Sequence, residues 1–144
     1  MISNDLKVVI FERMTGVVPL ACFDENTHLV TFVVAKGLLA KALGKGAANA
    51  AKVKLAIGLP VRIIEAGETL AEFAKNVCLP IEADVKINQF EDLQIVTLSV
   101  ATFELRGRLI GTKAGILRNN EKIVKHFFPE LKEIRVEQKM EVNA

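Results

Sequence analysis

Leu43-Gly44-Lys45-Gly46-Ala47 and, later in the chain, Ile110-Gly111-Thr112-Lys113-Ala114-Gly115 decide how this sequence is read. Each stretch interrupts a helical apolar pattern with glycine and then restarts it. Lys36 to Leu43 reads as a short helix, and Ala47 to Ile57 as a second, alanine-rich one that Gly58 terminates. Phe103 to Ile110 and Ile116 to Phe128 repeat the pair, with Ile116, Ile123 and Phe127 on one face. Glycine permits a sharp turn and lets another chain approach without meeting a side chain. The restarting helix aims unpaired N–H groups and the positive end of its dipole at the turn, where a phosphate can sit.

Outward from these loops the pattern is the same in both halves. Leu6, Val9, Ile10 and Met14 have helical spacing, with Ser3, Asn4 or Asp5 to cap the start and Gly16 to end it. Val17 to Phe23 and His28 to Val34 are β-rich runs separated by Asp24-Glu25-Asn26-Thr27, which reads as a hairpin; Pro19 assigns the first run to a sheet edge. Val61 to Glu65 closes the first half. In the second, Leu70, Phe73 and Val77 mark a helix that stops before Pro80. Ile81 to Gln89 and Gln94 to Val100 form the hairpin, and Ile134 to Glu137 the closing strand. Each half is therefore α-β-β-α-α-β, and the boundary falls at Ala66-Gly67: a first domain over 1–66 and a second over 67–144.

Placing Gly44 on Gly111, 67 residues apart, aligns the halves without a gap. Leu6 then falls on Phe73, Ile10 on Val77, Phe23 on Phe90, Val33 on Val100 and Ala47 on Ala114. Identities are few, but apolar and polar positions keep their order, which favours an internal duplication over coincidence.

Formal net charge is only +2 over 144 residues, so bulk charge does not announce a nucleic-acid partner and the case rests on placement. Lys36, Lys41, Lys45, Lys52 and Lys54 follow one another with no acid among them, as do Arg106, Arg108, Lys113 and Arg118. Either run alone reads as a solvated helix surface. Their recurrence at the same place in each half favours a binding role.

Competing chemistries fit poorly. Cys22 and Cys78 offer neither a metal-ligand spacing nor a disulfide framework and read as small buried apolar residues, so no cofactor is expected. A Walker A loop fails because Leu39 stands where its first glycine belongs and Gly46 follows Lys45. A dinucleotide loop fails because the turn follows a helix and position 49 is Asn. His28 and His126 lack a nucleophile neighbour, and Asp24, Glu25, Glu91 and Asp92 are read as turn residues. No enzyme is expected. No apolar run reaches membrane-spanning length and the first residues are too polar for a signal peptide, which leads to the expectation of a cytoplasmic protein with no membrane partner.

A helix, a glycine loop of the form IGxxG and a second helix, set between a hairpin and a strand, resemble a type II KH domain. Two in tandem in so short a chain resemble the archaeal NusA-like transcription factors. The stretches that carry the resemblance are Met14-Thr15-Gly16, Thr31-Phe32-Val33-Val34, Leu43-Gly44-Lys45-Gly46 and Leu109-Ile110-Gly111-Thr112-Lys113-Ala114. The resemblance implies an α/β (α+β) fold of two small three-stranded sheets packed by helices. It implies binding of single-stranded RNA and a role in transcription elongation or termination, with RNA polymerase as a partner. KH loops hold about four nucleotides by their backbone. On this sequence Gly44, Lys45, Gly46 and Ala47 would form one clamp and Gly111, Thr112, Lys113 and Ala114 the other. Lys41, Asn49, Lys52, Arg108 and Arg118 would add phosphate or base contacts. The chain departs from the pattern at the last glycine of GxxG, which is Ala in both halves. A KH-type scaffold in ribosome assembly or RNA processing is the alternative, and a small enzyme for a phosphate-bearing ligand a third.

Overall fold

The computed structural model describes residues 2–24 and 29–140. The chain divides into two units, Met1–Ala66 and Gly67–Ala144. Unit 1 runs α1 (Asn4–Thr15), β1 (Ala21–Phe23), β2 (Val30–Val34), α2 (Leu39–Leu43), α3 (Ala48–Ile57) and β3 (Val61–Glu65). Unit 2 runs α4 (Leu70–Cys78), β4 (Asp84–Phe90), β5 (Leu93–Val100), α5 (Phe103–Ile110), α6 (Gly115–Phe127) and β6 (Leu131–Gln138). Each unit is the α-β-β-α-α-β arrangement of a type II KH domain.

The sheets explain where the loops lie. In unit 1 the order is β1-β2-β3, with β1 antiparallel and β3 parallel to the central β2. Every residue of β2 is buried, as its unbroken apolar and β-branched sequence requires of a strand covered on both faces. A parallel neighbour needs a crossover of a dozen or more residues. Here α2, the glycine loop and α3 supply it, so the loop is part of the connection between paired strands. Unit 2 repeats this with β4-β5-β6. The strand after Pro19 is an edge strand, as expected.

The cores are filled differently. In unit 1 Phe11 stacks on Phe32 at 4.3 Å between ring centres, among Val17, Val30, Val34, Ala42, Val53 and Ile57. In unit 2 Phe73 meets the edge of Phe127 at 5.2 Å, and Ile123, Val124, Leu131 and Ile134 are buried. Removing each such ring from water contributes about 1.5–3 kcal/mol. Cys78 is buried; Cys22 is half-buried against the unit 1 core, and desolvation pushes its thiol up to about 11.

Several expectations require correction. Leu6, Val9 and Met14 do not form the inner face of α1: they are 48%, 43% and 38% exposed, and the buried residues are Lys7, Phe11 and Thr15. Lys7 is accommodated because Asp24, across the core edge, accepts a hydrogen bond and ion pair from its ammonium. Asp24 thus serves as the counter-charge of Lys7. The gap-free alignment is one residue out of register at the first helix and the central strand of each unit. Ser3 and Thr69 cap α1 and α4 in the same way, each accepting from the N–H three residues on. The carbonyls of Val34 and Val100 likewise accept from the residue after the closing strand, Ala66 and Lys139. Both pairs are 66 residues apart, so Lys7 is the counterpart of Phe73, and Val33 that of Ser99. Between the central strand and the glycine unit 2 has one residue more, its connection two shorter and its helix three longer, which restores 67 at the glycines. A one-residue slip moves side chains to the opposite face of a strand, which is why Val33 was mismatched with Val100; Phe23 was misplaced further, since it pairs with Thr31 as Lys86 does with Thr97, which makes Lys86 rather than Phe90 its counterpart.

The first short helix begins only at Leu39, because Gly37 adopts φ +89° and donates its N–H to the Glu65 carboxylate. Strand β6 is longer than expected, and Ile116 points out of the α6 core face, which Leu117, Asn120, Glu121, Ile123 and Val124 form instead. The Glu25-Asn26-Thr27 turn and His28 lie outside the described residues. In unit 2 the turn is Glu91-Asp92, with Glu91 at φ +55°.

Candidate nucleic-acid interface

Both loops are built on the same backbone. Gly44 donates its N–H to the Ala40 carbonyl at 3.0 Å and Gly111 to the Gly107 carbonyl at 2.9 Å, closing α2 and α5. Both glycines then take φ +74°, with ψ 173° and 178°, a region closed to other residues. A single 3-10 turn follows, over Lys45–Ala47 and Thr112–Ala114. Its last two residues are left-handed in each unit: Gly46 (φ 61°, ψ 27°) and Ala47 (φ 59°, ψ 26°), then Lys113 (φ 54°, ψ 34°) and Ala114 (φ 59°, ψ 23°). Three of these four are not glycine, at a cost of about 1–2 kcal/mol each for an L-residue. The last position of the pattern therefore keeps its left-handed conformation with alanine in place. Gly115 does not replace the missing glycine, since it sits at φ −62° in ordinary helical geometry.

The first glycine of each loop is held under a side chain from the following helix. A Cβ on Gly44 would come within 2.7 Å of the Asn49 carboxamide, and one on Gly111 within 2.7 Å of Ile116. Asn49 also donates to the Lys41 carbonyl at 3.3 Å, tying α3 to α2. Asn49 and Ile116 occupy the same position in the two units. One is polar and half-buried; the other is an isoleucine left 46% exposed beside the loop.

The matched angles set the equivalences: Lys41 with Arg108, Lys45 with Thr112, Gly46 with Lys113, and Lys52 with Asn119. The two loop lysines are therefore one position apart, not counterparts. Lys41, Lys45, Lys52 and Lys54 are exposed, and among the described residues no carboxylate pairs with them. Unit 2 differs. Arg108 pairs with Glu104 at 3.1 Å, Arg106 donates to the Val136 carbonyl at 3.2 Å, and Arg118 pairs with Glu121 at 2.7 Å. Glu121 is buried, and its other oxygen accepts from the Ile134 N–H at 2.7 Å, locking α6 to β6. That hydrogen bond and charge raise the Arg118 guanidinium above its ordinary pKa. Within the loop of unit 2, Lys113 is exposed and pairs with no described acid.

Of the residues singled out in the sequence, Gly44, Lys45, Gly46 and Ala47 form one loop with Asn49 packed over Gly44; Lys41 lies in the preceding helix with its side chain near Gly16, and Lys52 lies one turn past Asn49 in α3. Gly111, Thr112, Lys113 and Ala114 form the other, while Arg108 and Arg118 are engaged by acids. The sequence reading missed Ile116 as a loop-side surface and missed Glu104 and Glu121, which lie just outside the acid-free interval. Their i,i+4 and i,i+3 spacing to the arginines was the available signal. His126 is an exposed residue of the last turn of α6, its ring 5.0 Å from that of Phe127. Among the described residues no helix is long and apolar enough to cross a membrane.

No protein-family model matches the chain. Two curated archaeal proteins do, both named "Probable transcription termination protein NusA". The one from Methanococcus vannielii is 33% identical over 109 residues, covering 75% of this chain and 62% of its own length. The one from Methanocaldococcus jannaschii is 28% identical over 120 residues, covering 83% and 65%. The chain thus spans a little under two thirds of the length of these relatives. Among solved structures, the crystal structure of APE1850 superimposes with a TM-score of 0.74 at 18% identity, covering 93% of this chain and 97% of that one, a likeness of fold. With its tandem KH-like units and its likeness to these two proteins over most of its own length, the chain is similar to archaeal NusA-like proteins.

Proposed function

We propose that this chain binds single-stranded RNA through its two glycine loops and acts in transcription elongation or termination, with RNA polymerase as a partner. The observation that carries the reading is the repeated loop backbone: a glycine in a glycine-only conformation, two left-handed residues and a helix start, built twice, with a cluster of exposed lysines beside the first. The first unit brings Lys41, Lys45, Asn49 and Lys52 to the loop, and the second brings Lys113. The names of the archaeal relatives support the role in termination. No catalytic step is part of this reading.

The test is fluorescence anisotropy with a labelled single-stranded RNA at several salt concentrations. The double variant Lys45→Glu, Lys113→Glu is expected to weaken binding at least about tenfold and to lower the salt slope by about one to two units. Unchanged affinity in that variant would count against both loops. A second reading, a KH-type scaffold in ribosome assembly or RNA processing in which a protein partner dominates, is favoured by the exposed apolar residues Leu6, Val9, Met14, Val18 and Leu20 of unit 1. Co-purification from native extract with ribosomal subunits rather than polymerase would support it.

A further inference from the structure

The loops share a backbone but not a surface. At the four equivalent positions beside the loop, unit 1 presents Lys41, Lys45, Asn49 and Lys52. Unit 2 presents Arg108, Thr112, Ile116 and Asn119. Three cations become one, and Glu104 pairs with that one at 3.1 Å. The polar residue over the first glycine becomes an isoleucine that is 46% exposed. An exposed isoleucine in the first turn of a helix gains nothing for the helix, since β-branched residues are poor helix formers there. Its contact with Gly111 uses only part of its surface and leaves the rest facing the space beside the loop.

We infer that the two units divide recognition of the RNA strand: unit 1 is the phosphate grip, and unit 2 is a base seat in which Ile116 offers an apolar surface to a nucleobase. This rests on the RNA-binding reading above. Phosphate attraction is salt-dependent and indifferent to the bases, because it releases counterions. Contact between an aliphatic side chain and a base is the reverse: insensitive to salt and absent when the base is absent. The charge arrangement therefore assigns the salt dependence of binding to Lys41, Lys45 and Lys52, with Lys113 a lesser contributor, and the base-dependent affinity to Ile116. Arg118 serves to hold Glu121 in place, and Arg108 is already satisfied.

The experiment uses the full chain and two labelled oligoribonucleotides of equal length and charge, one of mixed sequence and one carrying abasic sites at alternate positions. Affinity is measured by anisotropy across a salt series, with circular dichroism confirming that each variant is folded. The variant Lys41→Gln, Lys45→Gln, Lys52→Gln is expected to flatten the plot of log affinity against log salt by about two units, at about 0.7 per lost single-strand phosphate contact. Ile116→Asn is expected to weaken binding of the intact oligomer about fivefold, with the salt slope and the abasic affinity unchanged. Arg108→Gln should leave the slope as it is. A slope flattened as much by Arg108→Gln as by the lysine triple would overturn the division, as would an Ile116→Asn loss equal on intact and abasic strands. In both cases the RNA-binding reading would stand. Failure of the unaltered chain to bind either oligomer would overturn the reading itself.

Discussion

Unit 1 and unit 2 hold their glycine loops in the same conformation to within a few degrees, yet almost every side chain around the loop differs. The backbone is fixed by what must be satisfied locally: a glycine that closes one helix, a residue from the next helix packed over it, and two left-handed positions between. None of these requires a cation. Charge is therefore free to diverge, and it has done so, leaving exposed lysines in unit 1 and arginines bound to carboxylates in unit 2. A basic run in a sequence is a binding surface only when its acids are also far away in space.

The position equivalent in the two helices after the loop gives the sharpest contrast. Lys54 is exposed in unit 1, whereas its counterpart Glu121 is buried and bonded to both Arg118 and the Ile134 N–H. Glu121→Ala is expected to destabilise unit 2 by about 3 kcal/mol, because it leaves a buried N–H and a guanidinium without their acceptor. Lys54→Ala should change unit 1 by less than about 0.5 kcal/mol. With no Trp or Tyr in the chain, hydrogen exchange resolved by unit is the suitable readout. Equal losses in the two variants would break the contrast.

Gly44→Ala and Gly111→Ala test what the units share. Each forces a side chain into a glycine-only conformation and against Asn49 or Ile116, and each should cost about 2 kcal/mol by the same measurement. A much smaller cost in one unit would show that its loop conformation is not enforced. At the surface, Lys45→Glu should weaken RNA binding about tenfold, whereas the equivalent Thr112→Glu should do so only about threefold, because the charge it adds meets a face that was never strongly cationic. The smallest effect sits at the left-handed alanines. Ala47→Gly and Ala114→Gly should stabilise their units by up to about 1 kcal/mol, while Ala51→Gly, within α3, should destabilise unit 1 by about 1 kcal/mol.

The element order and both loops were legible in the sequence because glycine punctuates helices for local reasons that no distant contact can override. The buried face of α1 was not. Leu6, Val9 and Met14 lie outward while Lys7 lies inward beside Phe11, an arrangement that Asp24, seventeen residues on, makes possible as the partner of Lys7. The repeat was visible, but its register was not, since length differences between the first helix and the glycines are hidden by anchoring the alignment at the loops. Within the candidate site the glycines and the lysines of unit 1 could be found from sequence. The neutralisation of Arg108 and Arg118 depends on side-chain geometry that their spacing to Glu104 and Glu121 permits but does not impose. Ile116 was assigned to the core because periodicity cannot tell the first turn of a helix, which overhangs a loop, from the turns that pack.

The central claim is most directly tested by following backbone amide resonances of the full chain as single-stranded RNA is added. The account predicts that the largest shifts fall on Gly44 to Asn49 and Gly111 to Ile116, and that raising salt reverses those of unit 1 before those of unit 2. Shifts concentrated on the Leu6, Val9 and Met14 face of α1, with both loops silent, would contradict it.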